Sequence, residues 1–569
     1  MSDLLLFVQL PQLDTLVSGA HENLYLAAAY LEWAVRRSPI GLHTKIARLP
    51  PELDSAADSA LLAAIVGLRP RFIACTVYLW NIERTLALMH QVKRALPGTA
   101  ILVGGPDVAR PHPLLYSRSP ADVVTIGEGE WVLPAILEAL KAGKQALFSC
   151  TAWKSGGRFR WGVPEAPETA LRHDLPPPDW PGLAPDARGM AYIETSRGCP
   201  MHCTYCRYHH LRRHVSLLEP EAIAERVGML RKMGAREIRF VDPTFNTHSR
   251  FTETLRLLAD LNGDRKLAFF AELRADRLTA EQADLLAAAH FTDIEAGVQS
   301  LDPKVLKAIG RPTDTARTGD GIRLMARRGI RVTLDLMVGL PHQTRAAAEE
   351  ALDWALAFPR SVNIQCMHTL LLPGTDLRRQ AARWKIRFDP LPPYAVQETP
   401  WMSRADFLAI EARLAATPRL SSDNPTPRFI GHTLPDLFPH PQVIPVPWQD
   451  RRILPPGPRF ARQAWIFRGT GLFEHTEELQ ALVHDAIAQS PFTLWQFVLE
   501  PATEEPLDLL EALIGAIRRH PPMIIDRYAP VAFRNLLSSR RVLVRLRRGR
   551  SYDADWVAAA RECLESAFF

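Results

Sequence analysis

Glu194-Thr195-Ser196-Arg197-Gly198-Cys199-Pro200-Met201-His202-Cys203-Thr204-Tyr205-Cys206 leaves an apolar run that begins at Met190 and places three cysteines at a C-x3-C-x2-C spacing. The run has the short apolar form of a strand, so the thiols fall on the loop beyond its carboxyl end. Three thiolates on one tight loop suit three corners of a [4Fe–4S] cube and leave the fourth iron open to another ligand. The competing reading is a zinc knuckle that draws its fourth ligand from His202, His209 or His210. The downstream sequence disfavours the knuckle, because zinc loops seldom open a repeating αβ series. Strand patterns recur at Met190–Ser196, Glu237–Asp242, Leu267–Leu273, Asp293–Gln299, Arg331–Gly339 and Val362–His368, each followed by a helical pattern. Six units fall short of the eight that close a barrel of this type. A partial (β/α)6 TIM-like barrel is therefore expected, open on one side, with its active site at the carboxyl ends of the strands.

Toward the N-terminus, apolar strands alternate with amphipathic helices in the manner of a doubly wound, Rossmann-like parallel sheet. The strands are Leu4–Leu10, His43–Arg48, Phe72–Val77, Ala100–Val103 and Asp122–Ile126, with helices at Asn23–Arg37 and Asn81–Leu96. Such sheets bind ligands beyond the carboxyl ends of their strands, which here carry Thr76-Val77-Tyr78, Gly104-Gly105-Pro106 and Gly127-Glu128-Gly129-Glu130. Pro164, Pro167, Pro176, Pro177, Pro178 and Pro181 then mark a linker. The chain divides into residues 1–150, a ligand-binding α/β domain; 151–187, the linker; 188–385, the partial barrel; and 386–569, a proline-rich wrapping segment with an α+β extension. In that extension, helices Thr476–Gln489 and Pro506–Arg519 precede a basic stretch, Arg540–Arg548, that could grip an anionic ligand but whose alternation reads rather as a solvated edge strand.

Composition bounds the rest. With 569 residues, 47% hydrophobic and 23% charged, the chain is long and apolar enough for several domains, and neither disordered nor membrane-embedded. An excess of 68 basic over 62 acidic residues gives a net charge of +6, a slight lean toward anionic ligands that does not imply nucleic acid. Seven cysteines are too few for a disulfide scaffold and suit a reducing compartment. Leu4–Leu10 reads as a first strand rather than a secretory segment, and no apolar run of about 18 residues offers a membrane span, so a cytoplasmic location is expected.

The cysteine loop, with Tyr205 in the aromatic position of C-x3-C-x-aromatic-C, resembles the radical S-adenosylmethionine enzymes. That resemblance implies a cluster whose open iron is chelated by the amino and carboxylate groups of S-adenosylmethionine, and reductive cleavage to a 5′-deoxyadenosyl radical. It also implies cofactor contacts at the strand ends. Asp242, within Phe240-Val241-Asp242-Pro243-Thr244-Phe245-Asn246, is placed to receive the methionine ammonium; Glu272 and Arg274 offer charges for ribose and carboxylate; Gln299 and Ser300 close the fourth strand; and Gly339 and Leu340 permit close approach of adenine. The N-terminal motifs are similar to the cobalamin-binding domains of cobalamin-dependent radical enzymes, which implies that Thr76, Gly104, Gly105, Gly127 and Glu128 cradle the nucleotide tail. The Asp-x-His-x-x-Gly element that supplies an axial histidine in many cobalamin proteins is absent; His21, His43, His90 and His112 stand in no such context. Tyr78 and Leu79, next to Trp80, are candidates to pack against the lower face. The resemblance extends from Leu4 to about Trp401.

The function implied is methylation of an unactivated carbon of a small-molecule or peptide substrate through methylcobalamin, served by an electron donor such as flavodoxin or ferredoxin. A rearrangement or cyclisation using both cofactors is the alternative, and a non-catalytic iron–sulfur or cobalamin sensor a third. A methylthiotransferase is disfavoured, since that family carries extra N-terminal cysteines and only Cys75 and Cys150 precede the triad here.

Overall fold

In the computed structural model, described for residues 3–13, 26–162, 175–208, 215–247, 249–420, 429–433, 442–447, 459–528 and 539–566, three large sheets follow one another along the chain, beside two small two-stranded ones. The first has seven strands: β1 (Asp3–Val8), β2 (Thr44–Arg48), β3 (Phe72–Thr76), β4 (Ala100–Gly104), β5 (Val123–Thr125), β6 (Thr151–Ser155) and β7 (Arg158–Trp161), in the order β2-β1-β3-β4-β5-β6-β7. Its first five strands are parallel. Every residue of β3 is buried, which is why the stretch reads as an unbroken apolar run rather than an alternation. Helices Leu26–Arg36 and Ile82–Ala95 cover the sheet. The hairpin β6–β7 joins the sheet antiparallel and buries Ala152 and Trp153. It lies where the sequence places the start of the linker, so the first sheet runs on through Trp161.

The second sheet consists of β8 (Met190–Ile193), β9 (Glu237–Phe240), β10 (Ala268–Leu273), β11 (Phe291–Gln299), β12 (Arg331–Val338) and β13 (Val362–His368). All six are parallel and ordered as in the chain, and β8 and β13 form the two edges, so no barrel is closed. Phe240, Phe245, Phe269 and Phe291 stack with ring centroids 4.4 to 5.9 Å apart in the apolar core of this sheet and its helices.

The C-terminal region is not an α+β extension but a third parallel sheet: β14 (Ile430–Gly431), β15 (Gln442–Pro447), β16 (Arg462–Gly469), β17 (Leu494–Pro501) and β18 (Arg540–Arg545), in the order β14-β18-β17-β16-β15. The expected solvated edge strand is therefore interior. The apolar centre Val542-Leu543-Val544 decides its place, and Arg541 is carried in with it, 0% exposed, over the Phe429 ring at 5.3 Å. Burial pushes the Arg541 guanidinium down to about 9.

The domains are tied across long stretches of chain. Ala57 N donates to Arg459 O (2.9 Å) and Ala461 N to Ser55 O (2.8 Å), joining the third domain to the first. Arg527 reaches Glu83 and the carbonyl of Pro392. Tyr394, 0% exposed, sets its hydroxyl against Asp107 (3.2 Å) and His112 (3.1 Å) of the first domain. The proline-rich stretch thus touches the first domain at Tyr394 and meets Arg527 at Pro392. Pro164, Pro167, His21, His209 and His210 lie outside the described residues.

Candidate active site

Two cavities open at the carboxyl ends of the first two sheets. The first, of about 310 Å3, lies where β3, β4 and β5 end. Thr76, Tyr78, Gly104, Gly105, Gly127 and Glu128 line it, as do Glu194, Ser196, Arg197 and Tyr208 from the cysteine-bearing region. Leu79 is not on its wall. The wall is partly bare backbone: a Cβ at Gly127 (φ +84°) would meet nothing within 4 Å, and one at Gly104 only the Thr125 carbonyl at 3.9 Å. Gly105 is different. At φ +117° a Cβ there would stand 2.5 Å from Val77 O, so glycine is what lets the β4 turn close on the end of β3. Ala74, Leu102, Val132 and Ile136 extend an apolar slot beneath this rim. A bare polar edge over an apolar slot fits the bulk and the phosphate-bearing tail of a corrinoid. Tyr78 stacks on Trp80 at 4.4 Å, with its phenol pushed up by burial.

Arg197 is the electrostatic hinge of this cavity. Its guanidinium meets Glu128 (3.3 Å), Glu130 (2.7 Å) and Glu194 (2.8 Å) and lies over the Tyr30 ring at 5.4 Å. The glycine-rich turn after β5 thereby grips the loop that leads to Cys199. Burial holds the Glu194 carboxyl above its ordinary range, with Arg197 opposing it.

The second cavity, also about 310 Å3, lies within the partial barrel. Cys199, Cys203 and Cys206 all line it, with Tyr205, Glu272, Arg274 and Gln299. Among the described residues, no three His, Cys, Asp or Glu side chains gather as one metal ion requires. A cube binds each thiolate at a separate iron and so needs spaced sulfurs converging on one cavity. Burial pushes the Cys206 thiol up to about 11, a cost that a cationic cluster iron relieves. Tyr208 and Pro243 line both cavities and mark where they meet.

Several expected contacts are redirected. Asp242, 1% exposed, turns to Thr195, accepting from its backbone N–H (3.2 Å) and hydroxyl (3.0 Å); it links the ends of β8 and β9 and is absent from the cavity wall, while burial raises it to about 7. Arg274 reaches the wall, but its guanidinium is engaged by Asp276, the Pro312 carbonyl and Thr313. Ser300 accepts from Asp302 N at 3.2 Å and lies off the wall. At Gly339, the space of a side chain is filled by the Phe407 ring, 2.7 Å from the position of a Cβ, and Leu340 is buried beside Tyr205.

Other residues take those places. Arg311, 9% exposed, sets Nη1 3.7 Å from Cys203 Sγ and gives Nη2 to Gly297 O, while its Nε has no hydrogen-bond partner. Glu295 and Asp335 join Glu272 on the wall. Burial, reinforced by Glu295, raises Glu272 to about 7; burial, reinforced by Glu295 and Glu272, raises Asp335 to about 9. Asp335 Oδ1 and Gln299 Oε1 are buried without partners. The orphaned donor on Arg311 and these orphaned acceptors are what a zwitterionic, hydroxyl-bearing ligand would satisfy. Asp335 had a sequence signal, a lone acid inside the apolar run Val332–Val338; Arg311 and Tyr208 had none beyond their charge and ring.

Fold and cavities together define an α/β protein with a corrinoid-type edge facing a cluster-type barrel. Residues 30–137 match the model of the B12 binding domain, and residues 193–355 that of the radical SAM superfamily. The chain thus carries a B12 binding domain and a radical SAM domain together, a pairing whose cofactors are a [4Fe–4S] cluster, S-adenosylmethionine and cobalamin. It is 25% identical to the cobalamin-dependent radical SAM methyltransferase TokK of Streptomyces tokunonensis over 54% of this chain and 48% of that protein. A protein of Methanocaldococcus jannaschii named as a methylthiotransferase by inference and a tRNA-2-methylthio-N(6)-dimethylallyladenosine synthase of Syntrophotalea carbinolica also match. The chain spans about half the length of the curated relatives it matches. Among solved structures, the fold is shared with OxsB, with aqua-cobalamin and S-adenosylmethionine bound (TM-score 0.56, 15% identity, 74% of this chain and 69% of that one). It is also shared with TsrM from Kitasatospora setae, with tryptophan and a SAM analogue bound (TM-score 0.54, 17% identity, 67% and 76%). Among the described residues, no helix is long and apolar enough to cross a membrane.

Proposed function

We propose that this protein is a cobalamin-dependent radical methyltransferase that adds a methyl group to an unactivated carbon of a small-molecule or peptide substrate. The observation that carries this reading is the meeting of the two cavities at Tyr208 and Pro243. A substrate held there faces both cofactor sites at once, and that positioning converts two difficult encounters into one bound geometry. When bound, the cofactors supply a radical for hydrogen abstraction and a methyl group for transfer.

The chain's own residues bind, orient and shield. Cys199, Cys203 and Cys206 are the thiolates for three irons, with Tyr205 packed beside them against Leu340. Arg311, rather than the engaged Arg274, is the cation for the S-adenosylmethionine carboxylate. Glu272, Gln299 and Asp335 are the acceptors for its ammonium and ribose hydroxyls. Met337, Met367, Leu370 and Leu372 give the barrel cavity an apolar border that excludes water from the reacting carbon. Thr76, Gly104, Gly105 and Gly127 leave room for the nucleotide tail of cobalamin, Glu128 holds the adjoining loop through Arg197, and Tyr78 is set toward the lower face. A one-electron donor such as flavodoxin or ferredoxin completes the system.

The test is anaerobic reconstitution with iron, sulfide and hydroxocobalamin, then turnover with candidate substrates. Methyl transfer predicts about four irons and about one cobalt retained per chain, with S-adenosylhomocysteine and 5′-deoxyadenosine formed in equal amounts. 5′-Deoxyadenosine without S-adenosylhomocysteine would indicate rearrangement or cyclisation instead, and iron without cobalt would remove cobalamin from the mechanism.

A further inference from the structure

The third domain contains a cavity that the two-cofactor chemistry does not use. Its strands step in one direction, β15 to β16 to β17 to β18, and right-handed crossovers then place the connecting helices on one face. The opposite face is built from alternate residues in register: Ala464, Ile466 and Arg468 beside Gln496, Val498 and Glu500, with Leu543 and Arg545 next in line. These side chains wall a cavity of about 690 Å3, and no helix residue lines it among the described residues.

The wall is graded along the strands. At the carboxyl ends stand Arg468, Arg545, Arg547 and Arg548 against one carboxylate, Glu500. Glu500 is 5% exposed and accepts from Nε of both Arg468 and Arg545, which fixes two guanidiniums and leaves their terminal nitrogens for a ligand. Arg547 is engaged by the carbonyls of Gly469 and Glu500. The middle row is apolar: Ile466, Val498 and Leu543. At the far end, four residues and about 13 Å along the strand from Glu500, Gln496 is 3% exposed and its amide nitrogen has no hydrogen-bond partner.

We propose that this cavity binds an elongated phosphorylated molecule. Arg468, Arg545 and Arg548 grip its phosphate or diphosphate head, its apolar middle lies on Ile466, Val498 and Leu543, and an acceptor at its far end takes the Gln496 amide. Guanidinium forks match phosphate oxygens, and a buried donor calls for an acceptor.

Isothermal titration of the full chain with octyl phosphate, the methyl ester of 8-phosphooctanoic acid, and octanol tests this. Octyl phosphate should bind and octanol should not; the ester, whose carbonyl can reach Gln496, should bind about tenfold more tightly than octyl phosphate. The variant pair Arg468→Gln/Arg548→Gln, both exposed positions, should weaken both phosphates, and Gln496→Leu should erase the advantage of the ester alone. Retained cobalamin and an unchanged circular dichroism spectrum verify that each variant is folded. Equal binding of octanol and octyl phosphate, or phosphate binding unchanged in the arginine variant, overturns the site. An ester advantage that survives Gln496→Leu overturns the placement of the far end.

Discussion

Replacing Arg197 by Met tests whether the corrinoid edge and the cysteine loop are held together electrostatically. The guanidinium is only 13% exposed and serves three carboxylates at 2.7 to 3.3 Å. Met keeps much of the volume and removes the charge, so Glu128, Glu130 and Glu194 lose the cation they share. Removing one partner of a largely buried ion pair costs about 3–5 kcal/mol. On a unit of 150–250 residues that corresponds to a fall in melting temperature of roughly 10 °C. The pH dependence sharpens the test. The Glu194 carboxyl already titrates above its unfolded range, and losing Arg197 raises it further. A raised carboxyl binds its proton more tightly in the folded state, so the stability it contributes is present below the unfolded pKa and lost as pH rises through the folded one. The gap between variant and parent should therefore be wide at pH 8 and narrow toward pH 5. Thermal melts of the cofactor-free protein at both values provide the measurement, with hydrogen exchange of peptides spanning 126–131 and 194–199. Equal melting temperatures at pH 8, or a gap of the same size at both, would refute the reasoning.

Cys199→Ala, Cys203→Ala and Cys206→Ala should each abolish retained cluster iron and 5′-deoxyadenosine formation, and full S-adenosylmethionine cleavage in any one of them would contradict the thiolate assignment. The cofactor-free protein should lose stability as pH rises from about 4 to about 9, because burial and its acidic neighbours raise Asp335 to about 9, and Asp335→Asn should flatten that part of a pH–melting profile. Gly105→Ala should destabilise by about 1–3 kcal/mol through the contact with Val77 and reduce the cobalamin retained after desalting. Tyr394→Phe should cost about 1–3 kcal/mol and speed hydrogen exchange around Asp107 and His112.

The sequence made the parallel strands of the first two sheets legible because they are short apolar or alternating runs, and their observed limits fall close to those the pattern predicts; the hairpin β6–β7 was not among them. The cysteine loop was legible because its three thiols are neighbours in sequence. What escaped depends on distant partners. Gly339 announces freedom for close approach, but nothing local says that Phe407 occupies it. Asp242 looks like a ligand for an ammonium until Thr195 is seen against it. Arg274 and Arg311 are equally charged, and only their partners separate them: Asp276, Pro312 and Thr313 engage the first, whereas the second keeps its Nε without one. In the third domain, the arginines flanking Val542–Val544 suggested solvent, yet Glu500 and the Phe429 ring accommodate those drawn inside the sheet.

The hydrogen-bonded group of Tyr394, Asp107 and His112 has a consequence for synthesis on the ribosome. The first domain emerges from the ribosome long before Tyr394 does, so its Asp107–His112 pair waits in water until that later segment folds back over it. A chain cut after residue 385 would retain both cofactor-bearing sheets but would leave the pair uncovered and lose the Phe407 ring at Gly339. Fragments that stop at the apparent end of the barrel should accordingly be poor folders, whereas ones that continue through the helix Arg404–Ala416 keep both seals.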